Sequence, residues 1–197
     1  LPWVLWRKTT DEIHSHFYVE GGAFSAQRQY EVYLKSDGDP KVLTAVLNSF
    51  VTALFTELSG RLPLGEGALD VAVYEAEDVR ILKPEVLQLD KRHLMLSYFT
   101  ELGRRPVLPV YEEVEQPDRQ AMDALVLDAL GFTDPEERAR VQQELYEAVT
   151  DLVRSRLGRA RSVEGLEAGE RLNPQAVAQE LLKELDKGLL RTFPGDF

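Results

Sequence analysis

The stretch LTAVLNSFVTALFTELSGRLPLGEGAL, residues 43–69, decides how the rest of the chain reads. Leu43, Val46, Leu47, Phe50, Leu54 and Leu58 recur at spacings of three and four, and Val51 and Phe55 widen the stripe. At 3.6 residues per turn these positions share one face, so the stretch predicts a substantially buried amphipathic helix. Asp39 stands at the N-cap position and Pro40 at the first helical position. There a carboxylate can accept free backbone N–H groups, and the N–H that proline lacks is not missed. Gly60 is expected to stop the helix in a left-handed conformation. Arg61 leaves that end, followed by glycines at 65 and 67 and a return to apolar sequence.

Before this helix the chain reads as β structure. Residues 3–6 are a short apolar run ending in Arg7 and Lys8, a buried strand. Phe17, Tyr18 and Val19 precede a Gly21-Gly22 turn signal. In QYEVYLK, residues 29–35, Tyr30, Val32 and Leu34 alternate with Gln29, Glu31, Tyr33 and Lys35, the period of a half-buried strand. Ser36, Asp37 and Gly38 read as a turn. After the helix, Val71 and Val73 read as a short strand, and Pro84 opens a helix to about Phe99.

The basic, turn-rich GRRPVLP, residues 103–109, reads as a boundary between two domains, 1–103 and 104–197. Beyond it every element reads as helical. A helix over 118–130 carries Met122, Leu125, Val126, Ala129 and Leu130 on one face and ends at Gly131. Thr133 and Glu136 form a capping box for a helix bearing Val141, Leu145, Val149 and Leu152, running to about Arg161. A polar, glycine-bearing linker over 158–169 leads to a third helix, capped by Asn173-Pro174, bearing Val177, Leu181 and Leu185 and closed by Gly188. The expected fold class is α+β: a small antiparallel sheet packed on a central helix, followed by a helical subdomain.

Composition narrows the function. The 197 residues, 44% hydrophobic and 29% charged, are an ordinary globular mixture, long enough to bury a real core. The absence of cysteine excludes a disulfide scaffold, a thiolate zinc site and a cysteine nucleophile. No apolar run approaches a membrane span and no signal-peptide pattern opens the chain, so a cytoplasmic setting is expected. The opening LPWVLW reads like the inside of a folded protein, which points to a longer parent chain. A net charge of −11 counts against an autonomous DNA binder but leaves room for a local basic face.

Candidate chemistry is sparse. His14 and His16 would share one side of a strand, but no third histidine stands at ligand spacing, so they read as surface or packing histidines and no metal site is expected. Gly65-Glu66-Gly67 lacks the Lys-Ser/Thr of a P-loop and the third glycine of a dinucleotide fingerprint, and reads as a structural turn. Glu31 and Lys35 have the wrong spacing for a nuclease half-site. Asn173-Pro174 has no aromatic after it to hold a flipped base. Arg154, Arg156, Arg159 and Arg161, set among glutamates, read as a solvated helix end. Arg7, Lys8, Gln27, Arg28 and Arg61 are placed differently, at strand ends and at the glycine loop. Gathered on one edge of the sheet, they would meet DNA, since Arg and Gln can read guanine and adenine edges bidentately. Scattered solvated charge is the alternative.

The run LNSFVTALFTELSGRLPLGEGALDVAVYEAEDVRIL resembles the C-terminal region of bacterial N6-adenine-specific DNA methyltransferases of restriction-modification and defence systems. The residues that carry the likeness are Leu47-Asn48-Ser49, Gly65-Glu66-Gly67-Ala68-Leu69, the segment 71–74 and Pro84. In the second half they are Arg119, Met122-Asp123, Leu130-Gly131-Phe132-Thr133 and Arg156-Leu157-Gly158-Arg159-Ala160. The family's Asn/Asp-Pro-Pro-Tyr/Phe motif and its S-adenosylmethionine-binding Phe-x-Gly-x-Gly loop are absent. The resemblance therefore implies a target-recognition and accessory region that is not itself an enzyme and binds no cofactor. S-adenosylmethionine would belong to the parent enzyme. Implied partners are double-stranded DNA, the upstream catalytic domain and a restriction or defence subunit. The rival expectation is a protein-interaction module whose acidic helical half docks such a subunit.

Overall fold

Asp39 does cap the central helix. In the computed structural model, which describes residues 1–25, 27–34, 38–62, 67–160, 175, 179 and 190–192, its carboxylate accepts the N–H groups of Lys41 (2.8 Å) and Val42 (3.2 Å). Helix α1 (Pro40–Leu47) starts there. It does not run to Gly60 as one helix. It breaks at Asn48-Ser49, and α2 (Phe50–Ser59) leaves at 65° with its own N-cap, Ser49. The reason lies in the Asn48 carboxamide, which bonds backbone in place of continuing the ladder. Its Nδ2 donates to the carbonyls of Thr44 (2.8 Å) and His16 (3.0 Å), and its Oδ1 accepts the His16 N–H (3.1 Å).

Gly60 also differs from expectation. It is extended (φ −73°, ψ 161°), not left-handed. It is required for closeness: a Cβ there would meet the buried Leu69 side chain at 2.7 Å.

The sheet forms as the alternation predicts. Strand β1 (Val4–Arg7) runs centrally between β3 (Phe17–Tyr18) and β4 (Gln29–Val32), antiparallel to both. Val4 pairs with Val32 and Trp6 with Tyr30, which puts the buried Val4 and Trp6 on the face toward α1. A second ladder joins β2 (Thr9–Thr10) to β5 (Leu69–Asp70). The expected strand at Val71 and Val73 is shorter: Val71 still donates its N–H to the Lys8 carbonyl, but residues from Val73 coil into α3 (Val73–Ala76). The Glu75 carboxylate reaches back to the Ala72 N–H at 2.6 Å and fixes that turn.

Strand β6 (Arg80–Leu82) leads through a 3-10 turn (Pro84–Val86) to α4 (Leu89–Leu102). The predicted helix from Pro84 is thus two pieces. Then come α5 (Val110–Glu113), α6 (Pro117–Ala129) and α7 (Pro135–Ala160). Asp134, not Thr133, caps α7, its carboxylate accepting the N–H groups of Glu136 and Glu137. The stretch after 103 is not wholly helical either, because β7 (Leu190–Thr192) pairs antiparallel with β6. The expected turn at Ser36-Asp37, the residues Lys35, Gly65, Glu66 and Arg161, most of the linker, the Asn173-Pro174 cap, and the helix after it apart from Gln175 and Gln179, which are helical, lie outside the described residues.

The fold is α+β, a small antiparallel sheet among helices. Residues 103–109 form a turn over which one buried core continues. Val46, Leu54, Met95, Met122, Leu145 and Val149 belong to the same apolar cluster.

A candidate nucleic-acid interface

Backbone pairing sets four segments side by side. The Lys8 N–H donates to the Arg28 carbonyl at 3.0 Å, and the Lys8 carbonyl accepts the Val71 N–H at 2.9 Å. One residue back, Asp70 exchanges both backbone hydrogen bonds with Arg61, at 2.9 Å each. These bonds link Arg28, Lys8, Asp70-Val71 and Arg61 into a row of backbone contacts that crosses from one small sheet to the other.

The five predicted residues fare unequally. Lys8, Arg28 and Arg61 fall in the row, and Gln27 adjoins it, exposed like Arg28. Arg7 is turned inward: Nη1 donates to the Ile13 carbonyl and to Ser15 Oγ, both at 3.3 Å, and Nη2 lies 3.8 Å from Asp11. Arg61 is exposed but engaged. Its guanidinium lies 3.8 Å from Asp70 and 3.7 Å from Glu75, and Nη1 donates to the Tyr74 hydroxyl at 3.0 Å.

Tyr74 and Val73 were not anticipated. They stand exposed beside Arg61, three and two residues beyond Val71, as does Leu62. The signal was present as two apolar residues at the first turn of a short helix, but a strand reading hides it by assigning Val73 to a buried face.

Four residues of the family resemblance, Asn48, Arg119, Asp123 and Arg156, are buried polar groups that join separate helices. Arg119 of α6 is wholly buried and donates from Nε to Glu113 (3.1 Å) and from Nη1 to the Asn48 carbonyl. Its guanidinium carbon sits 5.7 Å from the Phe50 ring centre. Asp123, one turn on, accepts the Phe50 N–H (2.8 Å) at the start of α2 and the Tyr146 hydroxyl (3.0 Å) from α7. Burial pushes the Asp123 carboxyl up to about 7, against the pull of Arg119. Burial also raises Glu113, but the Arg105 hydrogen bonds and the charge of Arg119 outweigh it and hold the carboxyl below its usual value. Arg105 grips both Glu113 and Asp118 at 2.7 Å.

The arginine run at the end of α7 is not simply a solvated helix end. Arg156 is buried, binding Glu57 bidentately (3.0 and 2.8 Å) and donating to the carbonyls of Gly67 and Asp11. The histidines are packing residues, buried and not on the surface. His14 donates from Nε2 to the Leu47 carbonyl at 2.9 Å, and His16 Nδ1 accepts the Arg7 N–H at 3.1 Å. Burial, with the charge of Arg119, lowers His14 to about 3; burial, with neighbouring His14, holds His16 well below its usual value.

Among the described residues no group of three His, Asp or Glu side chains could hold a metal ion. No single described helix is long and apolar enough to cross a membrane. No family model, curated protein or solved structure matches the chain.

Proposed function

We propose that this chain is the C-terminal DNA-recognition and accessory region of an adenine-specific N6 DNA methyltransferase, working in the cytoplasm beside an upstream catalytic domain. The observation that supports the reading is the row of backbone contacts joining Arg28, Lys8, Asp70-Val71 and Arg61, with Gln27, Arg28 and Arg61 exposed. The chain's charge of −11 fits a surface that contacts DNA only along this row, with most phosphate neutralisation left to the partner domain. Extruding an adenine requires such a second surface to hold the duplex and read the flanking bases. The residues of the family likeness support it indirectly. Asn48, Arg119, Asp123 and Arg156 tie the helical half rigidly to the sheet that presents the row. S-adenosylmethionine and the transfer chemistry belong to the parent enzyme.

Titrating the chain against a fluorescein-labelled duplex, between about 50 and 200 mM salt, tests the reading. Weak, salt-sensitive binding is expected. Lys8→Glu with Arg28→Glu should weaken it at least tenfold and flatten the salt slope by about two. Equal affinity of the wild type and the double variant would remove the row from DNA binding. Capture of a protein subunit by a chain that ignores DNA would favour the interaction-module reading.

A further inference from the structure

We propose that Asp123, Tyr146 and Gln142 form a proton-sensitive hydrogen-bond relay, whose outer end ties α7 to α6 while Asp123 is ionised and lets go when Asp123 takes up a proton. The relay lies within the helices and stands apart from the DNA-recognition reading.

The bonds run between two backbone groups whose roles are fixed. At the inner end the Phe50 N–H, which can only donate, meets Asp123 Oδ1 at 2.8 Å. At the outer end the Gln120 carbonyl of α6, which can only accept, takes a hydrogen bond from Gln142 Nε2 of α7 at 2.9 Å. That carbonyl fixes which way the Gln142 amide faces. The same Nε2 donates to the Tyr146 hydroxyl oxygen at 2.7 Å, so the Tyr146 proton has to point the other way, to Asp123 Oδ2 at 3.0 Å. Both Asp123 oxygens therefore face donors, and a carboxyl proton would find no acceptor. This is the arrangement of the ionised acid.

Burial opposes that ionised form. Asp123 is wholly buried, and burial carries its carboxyl up to about 7 although Arg119, one turn away on α6, pulls it down. Glu113 of α5 adds a smaller push upward, and α2 contributes the Phe50 N–H. Helix α4, also packed on α6, holds Asp128 with its Lys91. On α7, burial raises the Tyr146 hydroxyl above its usual value, so Asp123 is the member that gains or loses a proton near neutrality. A proton arriving on Oδ2 can be given only to the Tyr146 oxygen, because the Phe50 N–H occupies Oδ1. The Tyr146 hydroxyl then turns its own proton outward, toward the Gln142 amide. Gln142 must present Oε1 to receive it, and an amide so turned no longer donates to the Gln120 carbonyl. One proton bound at a buried acid is thereby read out as a lost tie between α6 and α7, at a half-buried glutamine.

Amide NMR of the whole chain between about pH 5.5 and 8.5 tests the relay, with His93→Gln in every sample to remove the exposed imidazole. The Phe50 backbone amide and the Gln142 side-chain amide should titrate together, with one midpoint near 7. Asp123→Asn should flatten both. Tyr146→Phe removes one hydroxyl and keeps the ring that packs against Phe50. It should leave the Phe50 amide titrating and flatten the Gln142 amide. A Gln142 amide that stays flat in the chain altered only at His93, or that goes on titrating in Tyr146→Phe, would overturn the relay. A flat Phe50 amide in that same chain would also overturn it, so the outcome is decided even if Asp123→Asn fails to fold.

Discussion

Arg119 of α6 donates a hydrogen bond to the carbonyl of Asn48, in the break between α1 and α2. A cation from the second half of the sequence thus satisfies the acceptor that a helix break exposes in the first half. Arg119→Met is expected to cost about 3–5 kcal/mol, because it strands a buried carbonyl and removes one partner of the buried Glu113 carboxylate. Arg119→Lys should rescue little, since one ammonium cannot span Glu113 and Asn48 together. Urea unfolding at neutral pH measures both.

Acid should act through the histidines. His14 falls from 6.5 to about 3 on folding, so its contribution is present above pH 6.5 and is lost as pH drops toward 3. Asp123 has the opposite sign. Its carboxyl rises from 3.8 to about 7, so its contribution is present below 3.8 and is lost as pH rises through 7. His14→Gln keeps a donor for the Leu47 carbonyl but removes a proton. It should reduce the slope of stability against pH by roughly 1.4 kcal/mol per unit between about pH 4 and 6. Asp123→Asn should steepen that slope by a similar amount. Denaturation at several pH values reads both changes, and unchanged slopes would count against this assignment of buried titrating groups.

Arg156 and Glu57 should behave as a coupled pair. Arg156→Ala leaves Glu57, which burial already pushes upward, without its cation, and leaves the Gly67 and Asp11 carbonyls without a donor. A loss of about 3 kcal/mol is expected. The double variant with Glu57→Ala should cost less than the sum of the two single ones, with a coupling of about 1–3 kcal/mol in a double-mutant cycle.

Gly60→Ala should destabilise by about 1–3 kcal/mol through overpacking against Leu69. Leu69→Ala added to it should recover part of the loss, which a left-handed glycine would not allow. Thermal melts of the three variants separate the two causes.

Local chemistry was legible in the sequence because it needs only near neighbours. The Asp39-Pro40 start, the β1 and β4 alternation, and the Gly21-Gly22 turn, with φ of +81° and +78°, all depend on residues within a few positions. The errors cluster where a distant partner decides. Asn48 sits in an apolar stripe that reads as continuous helix, and its side chain breaks that helix by bonding His16, 32 residues away. Arg156 reads as one of four charges on a helix end, and only the approach of Glu57, 99 residues away, buries it. Val73 matches a strand by composition, but among the described residues strand pairing stops before it and it opens α3.

The sequence by itself determined the α+β class, the sheet strands and the central apolar stripe, since periodicity and capping are properties of short stretches. It also determined the candidate cations, as residue types at strand ends. Only the tertiary structure decided which of these cations stand together. Backbone pairing among four separate segments places Lys8, Arg28 and Arg61 in one row, turns Arg7 inward and sets Tyr74 beside Arg61. Lys8 and Val71, 63 positions apart, become hydrogen-bonded neighbours there, and no local pattern encodes that distance.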